Sequence, residues 1–164
     1  MKKNSLIALC VYALLALGCG REQTVSTPSG DARITNKGDV TTIDMSTSKG
    51  EKMSIVAGSD GKGVALPDKF PSDIPVMPGA IVKVAISTGD ALSVHFSVKA
   101  SQEAAAKFYE ENLKAKGWEI EATMKMGASS MVSAKKGKRQ CVLTVVTEEG
   151  GGSIVQVMVP SEKS

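Results

Sequence analysis

A segment with helical periodicity lies between segments that alternate with period two, and this change of period limits the fold more than any other feature. Residues 101–116 read SQEAAAKFYEENLKAK, beginning with a capping serine and ending with lysines before a glycine. On both sides apolar residues recur at every second position, as in strands with one buried face. The pattern predicts an α+β fold, in which an antiparallel sheet carries one helix packed on one face.

Turn residues divide the flanking segments into strands. The dipeptide Gly89-Asp90 is typical of a tight hairpin. The expected strands of this domain are Ile81–Thr88, Ala91–Lys99, Trp118–Met126, Ser129–Lys135, Arg139–Glu148 and Ser153–Val159. With the segment that precedes them, they make residues 66–160 the predicted α+β domain.

Strict alternation assigns the side chains of these strands to faces. Val82, Val84 and Ile86 share one parity and are predicted to face the core. After the helix, one stripe is predicted to be core: Trp118, Ile120, Ala122, Met124 and Met126. A copper site formed by the methionine thioethers with His95 is the alternative, but His95 lies on the polar face of another strand.

Residues 32–65 predict a weaker β meander followed by a loop. Short strands are expected near Ala32–Thr35, Val40–Ser46 and Lys52–Ala57. Because they are rich in polar residues, they would be edge strands with one wet face or a small appendage. The loop GSDGKG, Gly58–Gly63, resembles a phosphate loop only superficially, since a glycine stands where a hydroxyl residue should follow the lysine.

The segment LPDKFPSDIPVMPGA, residues 66–80, holds four prolines that are not spaced by three, as a polyproline ligand would require. Each proline pushes the residue before it toward extended geometry. The segment therefore predicts a stiff strap over the domain edge, with a partner-binding epitope as the alternative. Four apolar side chains are predicted to anchor it: Leu66, Phe70, Ile74 and Met77.

Residues 1–18 are predicted to be a signal peptide. Lys2 and Lys3 precede the apolar run Leu6–Leu17, which at about 1.5 Å per residue is too short to cross a bilayer core. The following residues Ala16-Leu17-Gly18-Cys19 resemble the lipobox of bacterial lipoprotein precursors, with its invariant cysteine. The resemblance implies that Cys19 becomes the first mature residue, with a diacylglyceryl thioether and an acylated amine such as a palmitoyl amide. The alternative is ordinary signal-peptidase cleavage, which would leave a soluble periplasmic protein.

Residues 19–31 are polar and turn-rich, and they predict a flexible tether between the lipid and the domain. The membrane, reached through the lipid at Cys19, is thus one expected partner. Gly20 is not the aspartate that often marks inner-membrane retention among bacterial lipoproteins. The resemblance therefore favours the periplasmic side of the outer membrane over the inner membrane.

Chemically active groups are few. Cys141 is the one cysteine left for the fold, and its alternating neighbours make it a small core residue rather than a thiol catalyst. Glu119 and Glu121 share a strand parity, but open strand faces often carry such charges. With one histidine in the chain, we expect no enzyme activity, no cofactor and no metal site. The formal charge of +3, lower still without Lys2 and Lys3, does not suggest nucleic acid.

The order of proline segment, hairpin, FYEENLKAKGW helix and further strands resembles a domain of uncharacterised bacterial lipoproteins and secreted proteins, over Leu66 to Pro160. The resemblance implies a fold and a location but no activity. The sequence therefore predicts a non-catalytic, membrane-anchored envelope lipoprotein whose small domain binds or assembles an unknown envelope component. A periplasmic carrier of a small apolar ligand, held between sheet and helix, is the alternative.

Overall fold

The computed structural model describes residues 22–27, 30–59 and 61–160. Within these residues the chain forms ten strands and one helix. Their bounds are β1 Glu22–Thr27, β2 Gly30–Lys37, β3 Val40–Thr47, β4 Lys52–Gly58, β5 Ile81–Thr88, β6 Ala91–Val98, α1 Gln102–Ala115, β7 Glu119–Met126, β8 Ser129–Lys136, β9 Arg139–Thr147 and β10 Ser153–Val159. All the strands belong to one antiparallel sheet in the order β1-β2-β3-β4-β5-β6-β10-β9-β8-β7.

The predicted α+β class is wrong, because strands dominate the described chain and α1 is its single short helix. The error comes from the segment 32–65, which was expected as edge strands or an appendage. Instead, β4 pairs with β5 from Met53↔Thr88 to Ala57↔Val84. This pairing joins β1–β4 to the other six strands, so the sheet reaches ten strands without a second helix.

A further strand replaces part of the predicted tether. Glu22–Thr27 forms β1, which pairs with β2 along its whole length. Its side chains are polar apart from Val25, but the ladder bonds backbone groups and therefore does not need apolar residues. Residues 30 and 31 of the predicted tether begin β2, and residues 19–21 and 28–29, like the predicted signal peptide, lie outside the described residues.

The core lies between α1 and one face of β5–β10. The helix begins after Ser101, whose hydroxyl accepts a hydrogen bond of 3.3 Å from the Ala104 N–H. It packs on β7, β8, β9 and β10, and Tyr109 and Leu113 are fully buried beneath it. The fully buried strand residues on this face include Val94, Phe96, Val132, Leu143, Val145, Val155 and Val157. We call this side of the sheet the helix side.

The strap 66–80 closes the helix side over β6. Turns that start at its prolines fold it back on itself, since the N–H of Phe70 bonds to the Pro67 carbonyl at 2.9 Å and that of Ile74 to the Pro71 carbonyl at 3.1 Å. Phe70 packs edge-to-face on Phe96, with ring centroids 6.0 Å apart. Ile74 is buried and Met77 packs against the core, whereas the predicted anchor Leu66 is 39% exposed.

Asp73 fixes the strap to the far end of the helix side. Its carboxylate accepts hydrogen bonds from Arg139 at 2.5 and 3.0 Å and from Lys136 at 3.0 Å. Its backbone carbonyl accepts a bond of 3.0 Å from the Trp118 indole, over which the Arg139 guanidinium lies. The hydrogen bonds from Arg139 lower the pKa of Asp73 to about 2. We call this group the Asp73 clasp.

Two β-bulges overturn the predicted faces. In β5 the register shifts between Val82 and Val84, so Ala85, rather than Val84 or Ile86, pairs with core residue Val94. In β7 the register shifts between Ile120 and Ala122. A bulge inserts one residue and reverses the parity of all that follow. Met124 and Met126, predicted to be core, are therefore on the side away from the helix, 45% and 61% exposed.

Candidate binding surfaces

The side chains that the sequence offers for catalysis or anion binding are either buried or paired with an opposite charge. Cys141 is fully buried, and burial raises the pKa of its thiol to about 12, so it behaves as a small apolar residue. Glu119 and Glu121 each lie 3.5 Å from the Lys135 ammonium, which makes them ion-paired surface groups. In the loop Gly58–Gly63, the Lys62 ammonium contacts the Asp39 carboxylate at 2.6 Å instead of pointing to an open anion site.

His95 lies away from Met124 and Met126, with which it would have formed the alternative copper site, because β10, β9 and β8 separate β6 from β7. It stands on β6, on the side opposite the helix, paired across the sheet with Val84 and Gln156. Burial lowers the pKa of its imidazole, because the charged form is less well solvated there. Over the described ranges, no three His, Cys, Asp or Glu side chains come close enough to hold a metal ion.

The space between sheet and helix is filled by the protein's own side chains. Tyr109, Leu113 and Phe96 are fully buried there. The Tyr109 hydroxyl lies beside the backbone of Met77 but has no hydrogen-bond partner in the described part of the chain. Burial raises the pKa of this hydroxyl to about 12. It is the one buried side-chain polar atom without a hydrogen-bond partner among the described residues, whereas the buried side chains of Gln102, Ser130 and Ser153 are hydrogen-bonded.

An open cleft of about 740 Å³ lies where the helix side continues onto the N-terminal strands. We call it the polar cleft. Its polar lining consists of Thr24, Ser26, Asp31, Arg33, Asp44, Ser46, Lys52, Ser54, Lys69, Ser87 and Asp90. Lys69 of the strap and Asp90 of the β5–β6 turn approach to 3.9 Å at its margin. Its acidic and basic side chains are equal in number, so the lining is charged but balanced.

The other side of the same N-terminal strands is apolar. Four isoleucines from four adjacent strands stand opposite one another in register: Ile34↔Ile43, Ile43↔Ile55 and Ile55↔Ile86. The rows beside this ladder continue it with Val25↔Ala32, Ala32↔Met45, Met45↔Met53 and Ala57↔Val84. We call these ten residues the isoleucine face. None of them is buried.

The polar residues that share the rows of the isoleucine face are uncharged: Gln23, Asn36, Thr41 and Thr88. Lys83, the extra residue of the β5 bulge, precedes Val84 at the margin of the face. By contrast, the helix side of β1–β4 carries Glu22, Asp31, Arg33, Lys37, Asp44 and Lys52. Open sheet faces usually place charge toward water, so this is an unusual distribution.

Sequence reasoning missed the isoleucine face, although its signal was present. Ile34, Ile43 and Ile55 were assigned to strands that were expected to have one wet face. Only the register showed that all three share one side with Ile86. The parity of Ile86 could not be read from alternation, because the bulge at Lys83 lies between it and Val82.

One comparison with known proteins gives a match. A family model described as START domain-like matches residues 80–151. The match spans β5 to β9 with α1, less than half of the chain, and lies inside the predicted domain 66–160. It supports a family domain in this part of the chain and does not bear on the lipobox. The chain matches no curated protein and no solved structure. In the described ranges no helix combines the length and the hydropathy needed to span a bilayer.

Proposed function

We propose that the protein is a non-catalytic envelope lipoprotein, held to a membrane through acyl chains on Cys19, whose sheet binds or assembles an envelope component. The isoleucine face is the observation that carries the proposal. Contiguous apolar surface of this kind on a soluble domain is commonly a binding site, because its exposure to water is unfavourable. The proposal places the partner on this face of β1–β5.

The position of the face fits an anchored protein. Only two residues, Gly20 and Arg21, separate Cys19 from Glu22 at the start of β1, a span of at most about 11 Å of extended chain. An acylated Cys19 would hold β1 within that distance of the lipid surface. The N-terminal strands would then lie near the membrane, with α1 and its core farther along the sheet. The Gly20 rule for lipoproteins favours the outer membrane for this site.

The surroundings of the titratable groups favour binding over catalysis. The Cys141 thiol is inaccessible, Glu119 and Glu121 are paired with Lys135, and His95 stands among Ser93, Ser97 and Gln156. A nucleophile or a general base needs a partner group within hydrogen-bond distance that tunes it. These side chains lack that arrangement in the structure described.

Two measurements test the proposal. Palmitate labelling of the full chain in a bacterial host is expected to disappear in Cys19→Ser. A photo-reactive amino acid in place of Thr41, beside the isoleucine face, is expected to give adducts of higher mass on illumination. The same amino acid in place of Thr42, on the opposite side of β3, is the matched control and should give few. Labelling that survives Cys19→Ser contradicts the anchor, and equal adducts at both positions contradict the binding face.

A second candidate function is a carrier of a small apolar ligand. The START domain-like match over residues 80–151 is compatible with ligand binding, and the unpartnered Tyr109 hydroxyl beneath α1 would offer a polar contact for such a ligand. A ligand would have to displace side chains that fill this space. Native mass spectrometry of the freshly isolated protein tests it: a bound lipid-sized mass that Tyr109→Phe weakens supports a carrier, and a mass of protein alone opposes it.

A further inference from the structure

The composition of the isoleucine face suits packing against an identical surface. Its central residues form a straight row across β2–β5, flanked by methionine, alanine and valine. The polar residues in the same rows are neutral, so two copies placed face to face would bury no unpaired charge. Burial of such a charge is among the strongest penalties against an interface. Neutrality of this kind makes the face compatible with a second copy of itself.

The geometry points to a dimer in which the isoleucine faces of two copies of this chain pack against each other as a β-sandwich. Twisted antiparallel sheets pack about 10 Å apart, with strand directions about 30° from each other, and aliphatic side chains from the two sheets interdigitate. Ile34, Ile43 and Ile55 supply such side chains at the centre. Met45 and Met53 beside them can adapt to the partner surface because their side chains are unbranched.

The size of the face limits how strong this contact is. Five strands about 4.8 Å apart, with three rows of side chains about 6.8 Å apart, give an area on the order of 500 Å² per copy. Two copies would bury about 1,000 Å² together, the lower end for a specific interface. Tethering both copies to one membrane would raise their effective concentration and favour the pair. The inference rests on the proposed lipid anchor for this last contribution only.

A bilayer is a poorer fit for the same face. Segments that lie in the membrane interface combine apolar side chains with aromatic residues and a basic rim. The isoleucine face holds neither Trp, Tyr nor Phe, and Lys83 is the single base at its β5 margin. Across the sheet, the charges of β1–β4 point to the opposite side. The observations therefore favour a second copy over lipid.

The test uses the full chain, processed in a bacterial host and extracted from membranes in mild detergent. Light scattering is expected to give twice the mass of one chain. Ile43→Lys should weaken the dimer by more than about tenfold, because it buries an unpaired charge. Thr42→Lys, the next residue on the charged side of β3, is the matched control and should leave the dimer unchanged. Thermal unfolding of each variant shows that its fold is retained.

A second measurement is independent of folding losses caused by a buried lysine. Ile55→Cys, treated with a bismaleimide in intact membranes, should cross-link into a dimer of this chain. Ser54→Cys on the opposite side should not. A fluorophore on Ile55→Cys should also be shielded from spin-labelled lipids. A single-chain mass for the wild type, loss of the dimer in Thr42→Lys as well as Ile43→Lys, or quenching of the Ile55 label by lipid would overturn the inference.

The outcomes separate this inference from the proposed function. If adducts at the isoleucine face contain a different protein and no dimer forms, the inferred dimer is wrong, while the proposed assembly role stands. If palmitate labelling does not depend on Cys19 but the dimer persists, the anchor is wrong and the dimer stands. Dissociation of the Cys19→Ser dimer on dilution, while the acylated dimer persists in membranes, would support the contribution of the membrane.

Discussion

The two halves of the sheet carry most of their apolar residues on opposite sides. In β6 and β8–β10 the buried apolar residues face α1, and the side away from the helix mixes polar residues such as Ser93 and His95 with the exposed Val146 and Met158. In β1–β4 the charged residues lie on the helix side, which also carries Val40 and Val56, and most of the apolar residues lie on the other side. The β5 strand, with its bulge between Val82 and Val84, is where the preference changes. One continuous sheet thus has two parts. In the first, β5–β10, the apolar side is covered by α1 and the strap, and we call this part the covered half. In the second, β1–β4, the apolar side is the uncovered isoleucine face.

The largest effect in this comparison is expected from the covered half. Phe96→Ala should lower the free energy of unfolding by about 3–5 kcal/mol, because Phe96 is fully buried and packs against the strap. Ile55→Ala on the isoleucine face should cost only about 1 kcal/mol in the dissociated chain, since the side chain is half-buried. Urea denaturation at low protein concentration measures both. Equal losses in the free energy of unfolding would show that side chains of the two halves stabilise the fold to the same extent.

The strap should contribute to the free energy of unfolding in the same way as the core of the covered half. Phe70→Ala is expected to cost about 2–3 kcal/mol, because its ring is buried against Phe96. Leu66→Ala is the matched control at the exposed start of the strap, with a loss below about 1 kcal/mol. Limited proteolysis should cut near residues 66–80 sooner in Phe70→Ala. A larger effect at Leu66 would mean that the strap is held at its other end.

The Asp73 clasp should give the covered half a dependence on pH. The pKa of Asp73 is lowered from 3.8 to about 2, so its ionised form stabilises the fold. This stabilisation is present above pH 3.8 and is lost as the pH falls from there through about 2. Asp73→Asn is expected to cost about 1–2 kcal/mol at pH 7, since Arg139 and Lys136 lose their partner. Near pH 2 it should cost little, as unfolding free energies measured at both pH values would show.

The smallest change in stability is expected for substitutions that follow the bulge of β7 between Ile120 and Ala122. Met126→Lys should change the free energy of unfolding by no more than about 0.5 kcal/mol, because Met126 is exposed on the side away from the helix. Ile120→Lys, just before the bulge and packed against the core, should cost more than about 2 kcal/mol. Thermal melting compares the two. A large loss of stability in Met126→Lys would indicate that β7 alternates regularly and contains no bulge.

Much of the local structure could be predicted from sequence. The strands β2–β10 and the helix lie within a few residues of their predicted bounds, because alternation, glycine turns and the Ser101 cap are local signals. The burial of Cys141 was predicted by the same parity argument. The strand β1 was not predicted, because Glu22–Thr27 is polar and is held by backbone pairing with β2, which leaves no apolar alternation in its sequence.

The candidate site was harder to predict than the elements. Each isoleucine of the face is visible in the sequence, yet Ile34 and Ile86 are far apart in the chain. Their common side depends on three successive strand registers. The positions of Met124 and Met126 were wrong for a related reason, since a bulge is set by how β7 meets β8 and leaves little trace in hydrophobic periodicity.

By itself, then, the sequence determined which segments are strands, where the helix begins and ends, and which small set of residues is available for chemistry. These properties depend on neighbours a few positions away, through side-chain period, capping and turn preferences. The tertiary structure decided that ten strands form one sheet and which side each strand shows to α1. Register and bulges arise from pairing between distant strands, and one extra residue is enough to turn a core side chain toward the opposite side.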